Sequence, residues 1–142
     1  MIGEELSVYF ENPARDALGY EHVGGCLRFG RDEVELTFDE KDRAFRKTPA
    51  VTVTFGYGEV VGVTYVSRWF RPKVLRFQTK SPEKLADFPG AEVGQVSLNV
   101  KPESRKAAAK APELVEFKQS EAWLEESERR LKEKRGDLGS GS

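Results

Sequence analysis

The sequence predicts a mainly β protein, a run of short antiparallel strands closed by a C-terminal helix. Three features predict it. Between Gly24 and Val100, short segments alternate apolar and polar residues with the period of two that a half-buried strand requires. From Pro102 to Arg135 the chain holds almost nothing but helix formers. The strands are joined by short turn signals, with none of the strand–helix alternation of a parallel sheet, so an antiparallel meander is expected.

Taken in order, Leu6, Val8 and Phe10 alternate with polar residues and allow a short first strand. Asn12-Pro13 marks a turn, and Ala14 to Leu18 is long enough for one helical turn ended by Gly19. Leu27 and Phe29, then Val34, Leu36 and Phe38, flank Gly30-Arg31-Asp32 and predict a hairpin. Asp39 to Lys47 is charged and reads as a loop. Val51, Val53 and Phe55 alternate with threonines in a β-branched strand, interrupted at Gly56-Tyr57-Gly58. Glu59 to Val66 resumes it, with Val61, Val63 and Tyr65 expected on one face. Arg68 to Pro72 predicts a turn, Val74 to Thr79 a strand, Ser81 to Gly90 an irregular segment, and Val96, Leu98 and Val100 a last strand. In the helix, Leu114, Phe117, Leu124 and Leu131 share a stripe, Ala107, Ala108 and Ala111 supply small packing residues, and Pro112 is expected to kink or split it. Gly136 suits a C-cap. The domain reading is a single unit over 1–135 with its core at 24–124, an N-terminal extension over 1–23, and a flexible tail or linker over 136–142.

Composition narrows the function classes. The chain has 142 residues, a formal net charge of -1, 33% charged residues, one histidine and one cysteine. A net charge near zero gives no global field to recruit nucleic acid or an anionic membrane, so any such attraction must be local. A lone cysteine forms no intrachain disulfide and fits a reducing compartment. The start, Met-Ile-Gly-Glu-Glu, lacks the cationic and apolar runs of a signal peptide. No apolar stretch approaches the roughly 18–20 residues of a membrane span. The expected location is cytoplasmic.

Several stretches look familiar together: Gly25-Cys26-Leu27-Arg28-Phe29, Val34-Glu35-Leu36, Val51 to Val60, and Trp69-Phe70-Arg71-Pro72-Lys73-Val74-Leu75-Arg76-Phe77. Over about 24–117, or to 124, this order and spacing resembles a bacterial pleckstrin-homology-like (PH-like, or GRAM-like) domain. The resemblance implies an antiparallel barrel or sandwich of about seven strands, two bent sheets packed nearly orthogonally, a helix plugging one end, and a scaffold or binding role without catalysis. Its lipid-binding relatives contact phosphoinositides through basic residues around a long first hairpin loop. Here that loop is Gly30-Arg31-Asp32, one arginine beside an aspartate, and that ligand is not expected.

Candidate chemistry is sparse. His22 and Cys26 lie four apart, but a metal site needs further ligands, and nothing nearby points to a nucleophile pair. The bland reading is a loop histidine and a strand cysteine; no metal and no cofactor are expected. Glu59, after Gly56-Tyr57-Gly58, is either a functional acid or a solvated residue at a strand edge. The most distinctive stretch is Arg68-Trp69-Phe70-Arg71-Pro72-Lys73, continued by Arg76 and Lys80. Between Thr64 and Pro82 stand five cations and no carboxylate. Aromatic residues among cations at a turn suit a protein hot spot, a membrane interface or single-stranded nucleic acid; alternatively, the aromatics fold back onto the core.

The expectation is therefore a non-catalytic interaction module that binds a protein partner or self-associates, with Arg68, Trp69, Phe70, Arg71, Lys73 and Arg76 as binding residues. Peripheral binding to an anionic membrane through 68–80 is the alternative, and a small-ligand binder a further one. Nucleic acid is not expected, because such domains are usually more basic. The helix beyond Leu124 outruns a small barrel, which points to a partner, a second copy or the N-terminal segment as its cover.

Overall fold

The structure, a computed structural model, describes residues 5–12, 22–41, 49–69 and 71–140. The helical turn expected at Ala14 to Leu18, most of the loop before Thr48, and Phe70 lie outside them. Seven strands form two antiparallel sheets. The first contains β1 (Leu6–Asn12), β2 (His22–Phe29), β3 (Glu33–Lys41) and β4 (Val51–Gly56), in that order. The second contains β5 (Val60–Val66), β6 (Val74–Thr79) and β7 (Gln95–Asn99). A 3₁₀ turn, Tyr57–Glu59, joins the sheets, and helix α1 (Arg105–Ser140) follows a 3₁₀ turn at Pro102–Ser104. Two antiparallel sheets of seven strands with a C-terminal helical cap are the mainly β architecture expected from the sequence.

The period-of-two pattern does what it should. Leu27, Phe29, Val34, Leu36, Phe55, Leu75, Phe77 and Leu98 are all fully buried between the sheets. The β2–β3 hairpin closes as read, with Phe29 opposite Val34 and the Gly30 N–H donating to the Glu33 carbonyl at 2.9 Å. Phe55 of β4 packs on Phe77 of β6, ring centroids 5.0 Å apart, and so links the sheets.

β1, read as part of an N-terminal extension, is the outer strand of the first sheet, and its Val8 and Phe10 are core residues. It also closes the sandwich toward β7. The Asn12 Nδ2 donates to the Ser97 carbonyl at 2.8 Å, and the Asn12 Oδ1 accepts from the Asn99 N–H at 2.7 Å.

Two departures concern side-chain facing. In β5 the pairing slips between Val60 and Gly62. A bulge adds one residue and reverses the alternation. Val60 and Val63 therefore both face the core, while Val61 is exposed and Tyr65 half-buried. In α1 the buried stripe is Ala108, Ala111 and Val115, with Lys118 one turn on, while Phe117, Leu124 and Leu131 are exposed.

α1 also runs through Pro112 unbroken. A proline lacks the N–H that would bond the Ala108 carbonyl. The loss is offset by burial of Ala108, Ala111 and Val115, on both sides of Pro112, where α1 packs against β1 and β5. Gly136 does not end the helix, whose backbone continues to Ser140. The irregular segment 81–90 contributes two core plugs, Leu85 and Phe88. The Phe88 ring stands 4.9 Å from that of Phe38 and 6.0 Å from that of Phe10.

Candidate functional site

The loop between β5 and β6 is a hairpin tip. Val66 pairs with Val74, and the Arg71 N–H reaches back to the Arg68 carbonyl at 3.4 Å. Pro72 restrains the returning arm. Arg68, Trp69 and Arg71 are exposed, and Trp69 is 85% so. The indole therefore does not fold back onto the core. Lys73 is half-buried, with its Nζ donating to the Arg68 carbonyl at 3.3 Å, so it braces the loop as well as charging it. Arg76 lies behind the tip on the outer face of the second sheet, in a rung with Thr64 and Ser97. The outward residues of this sheet include no carboxylate.

A further group of cations is invisible to the sequence pattern. The Val100 N–H donates to the Lys73 carbonyl at 2.9 Å. The chain thus passes the base of the tip as it enters Lys101 and the first turn of α1, where Arg105 and Lys106 are exposed. These cations lie some thirty residues beyond the loop in sequence. Only the β6–β7 pairing brings them to the same end of the sandwich.

The remaining candidates resolve into structural roles. Glu59 Oε2 accepts from Lys84 Nζ at 2.7 Å and from Ser81 Oγ at 3.0 Å. These partners hold its carboxyl below the usual range and tie the 81–85 turn to the β4–β5 corner. Lys84 Nζ also donates to the Thr54 carbonyl at 2.9 Å and sits over the Phe55 ring. Cys26 lies half-buried on the outer face of the first sheet, between Tyr9 and Thr37 in the strand pairing. Burial pushes its thiol up, the reverse of what a nucleophile needs. His22 is in β2, and its side chain lies outside the described residues. Among the described residues no group of histidine, cysteine or carboxylates could hold a metal ion.

Clefts open on the surface among the described residues. One, about 620 Å³, separates the Arg31-Asp32 turn from the helix at Lys118, Glu121, Leu124 and Glu128. A second, about 570 Å³, lies along the helix at Gln119 and Trp123. A third, about 360 Å³, is lined by Glu5, Arg28 and residues of the β2–β3 turn. Neither Tyr57 nor Glu59 lines any of these three. No described helix is long and apolar enough to cross a membrane. Set against protein-family models, curated proteins and solved structures, the chain matches none.

Proposed function

We propose that this chain is a non-catalytic, PH-like interaction module that engages an acidic protein surface through the β5–β6 hairpin tip. The observation that carries the reading is Trp69, 85% exposed on a braced hairpin between Arg68 and Arg71. Tryptophan and arginine dominate protein hot spots, because each offers a large contact area and a directed polar group. The cations behind them, at Arg76 and at the start of α1, steer an acidic partner toward the tip.

The test is a photo-crosslinking amino acid at position 69 in the full chain, expressed in its native cell. Discrete protein adducts, lost when Arg68→Glu and Arg71→Glu are added, are the expected result. Absence of protein adducts together with salt-sensitive pelleting on anionic phosphatidylserine vesicles would replace the protein partner with a membrane surface. Absence of both would remove the tip as a binding site.

A further inference from the structure

We infer that this chain forms an antiparallel homodimer through the projecting half of α1, independently of what the hairpin tip binds. The motivating feature is an apolar seam that the sandwich does not cover. Phe117, Leu124 and Leu131 follow one another at intervals of seven residues on the helix and are 42%, 54% and 55% exposed. Leu138 continues the interval in the sequence, within the helical backbone. Trp123, 66% exposed, flanks the seam. A repeat of seven is the spacing that keeps one helix face against another.

Charge selects the occupant. Residues 113–128 hold six carboxylates and one lysine, whereas 129–140 hold five cations and two carboxylates. The sign changes between Glu128 and Arg129. The midpoint of the apolar seam, halfway between Leu124 and Leu131, falls at the same place. A second copy laid antiparallel about that point sets Leu124 against Leu131 of the other chain, with each acidic half facing a basic half. Parallel pairing would instead set like charges together along the whole contact. The helix macrodipole does not account for the pattern, since the true N-terminal turns carry Arg105, Lys106 and Lys110.

The cleft beside the helix fits the same arrangement. Its lining is mainly acidic: Asp32, Glu121, Glu125 and Glu128 against Arg31 and Lys118, around the exposed Leu124. The basic, Leu131-bearing end of a second helix brings matching charge and apolar surface to that cleft. The arrangement is two-fold, so each contact occurs twice.

Sedimentation equilibrium of the full chain tests the inference. The expected mass rises from 16.0 kDa toward twice that value with concentration. Two variants, Glu121→Lys/Glu125→Lys/Glu128→Lys and Arg129→Glu/Lys132→Glu/Lys134→Glu, should each weaken self-association by more than about tenfold, since every altered pair counts twice. Their equimolar mixture should restore a heterodimer. In a Cys26→Ser background, Glu121→Cys and Lys134→Cys chains should cross-link with each other in preference to themselves. A wild-type chain that stays monomeric at about 1 mM, the weak limit of useful affinity, would overturn the inference. So would variants that associate as well as the wild type, or cross-links between like positions. The hairpin variants Arg68→Glu/Arg71→Glu should leave the dimer intact, which separates a failure here from a failure of the tip.

Discussion

Replacing Tyr57 with phenylalanine tests how the β2–β3 hairpin is joined to the corner between the sheets. Tyr57 is buried in the turn between the sheets, and its hydroxyl donates to the Gly30 carbonyl at 2.6 Å. Its own carbonyl accepts from Gln119 Nε2 at 3.3 Å, and the same amide donates to the Val60 carbonyl at 2.6 Å. One residue thus ties the Gly30 turn, the sheet corner and α1 together. Phenylalanine keeps the ring and loses the donor, so Tyr57→Phe should cost about 1–2 kcal/mol, a hydrogen bond plus a partly desolvated acceptor. In a chain of this size that is roughly 3–6 °C in Tm.

The pH dependence gives a sharper readout. Burial first, then Asp32 and Glu5, push the Tyr57 hydroxyl from 10.0 up to about 12. The folded state therefore keeps a proton that the unfolded state gives up. The stability from this group is complete below pH 10 and is lost as pH rises toward 12. A hundredfold difference in proton affinity caps the loss at about 2.7 kcal/mol, and access of solvent to the site reduces it to roughly 1–2 kcal/mol. Urea unfolding of both proteins at pH 7 and pH 11 measures it. The gap between wild type and Tyr57→Phe should narrow at pH 11, because the other alkaline groups are common to both. A variant as stable as the wild type at pH 7, or a gap that does not narrow, would refute the reasoning.

Other positions yield independent tests. A Cβ on Gly25 would overlap the Thr37 carbonyl oxygen of the neighbouring strand, so Gly25→Ala should lose about 2–4 kcal/mol in urea unfolding. Val93 and Gly94 form the two-residue turn into β7, with φ of 30° and 76°, where a β-branched residue is strained. Val93 is 94% exposed, so Val93→Asn should raise stability by about 0.5–1.5 kcal/mol, read as a higher Tm. Glu59 is held below its ordinary value of 4.5 by Lys84 and Ser81; its contribution is present above that value and fades as pH falls through the lower one. Glu59→Gln should therefore cost less than about 1 kcal/mol at neutral pH and flatten the acid limb of a stability–pH curve.

What was legible in the sequence follows from periodicity. The β2–β3 hairpin, β4, β6 and β7 each present a clean alternation, and each forms where that alternation lies. Leu85 and Phe88 were not legible as core, because a 3₁₀ turn and a bend impose neither the strand nor the helix period. The facing of β5 departs from plain alternation because the bulge at Val60–Gly62 is a property of the strand pair and does not show in one strand alone. The helix carries two apolar features, and the sequence shows both: the small residues Ala107, Ala108 and Ala111 near its start, and the stripe through Phe117, Leu124 and Leu131, which lies largely exposed. Where α1 approaches the strands closely, small residues fit, and it is Ala108 and Ala111 that are buried. The hairpin tip was visible as a run of cations and aromatics in 68–76. Lys101 and Arg105 were not, since strand pairing rather than sequence puts them beside it.

The geometry of α1 also constrains how the two proposed surfaces work together. The helix starts beside the base of the hairpin tip, where Val100 bonds Lys73, and reaches Val60, at the opposite end of β5, by Gln119. From there to Ser140 the helix extends about 30 Å further. The tip and the seam thus sit at opposite ends of the molecule, and pairing at one leaves the other uncovered. In the antiparallel dimer, about 34 Å of helix separates each start of α1 from the two-fold axis. The two tips then stand roughly 60–70 Å apart and face away from each other. A compact partner cannot bridge them, whereas a repeated or surface-bound one can, and bridging raises apparent affinity by about 10²–10⁴-fold without any new contact. The charge-reversed helix variants separate the two effects. They should keep the affinity of a single tip for a soluble monovalent partner and lose only the gain seen on a densely immobilised one. Equal loss in both formats would mean that the helix itself forms part of the partner's binding surface.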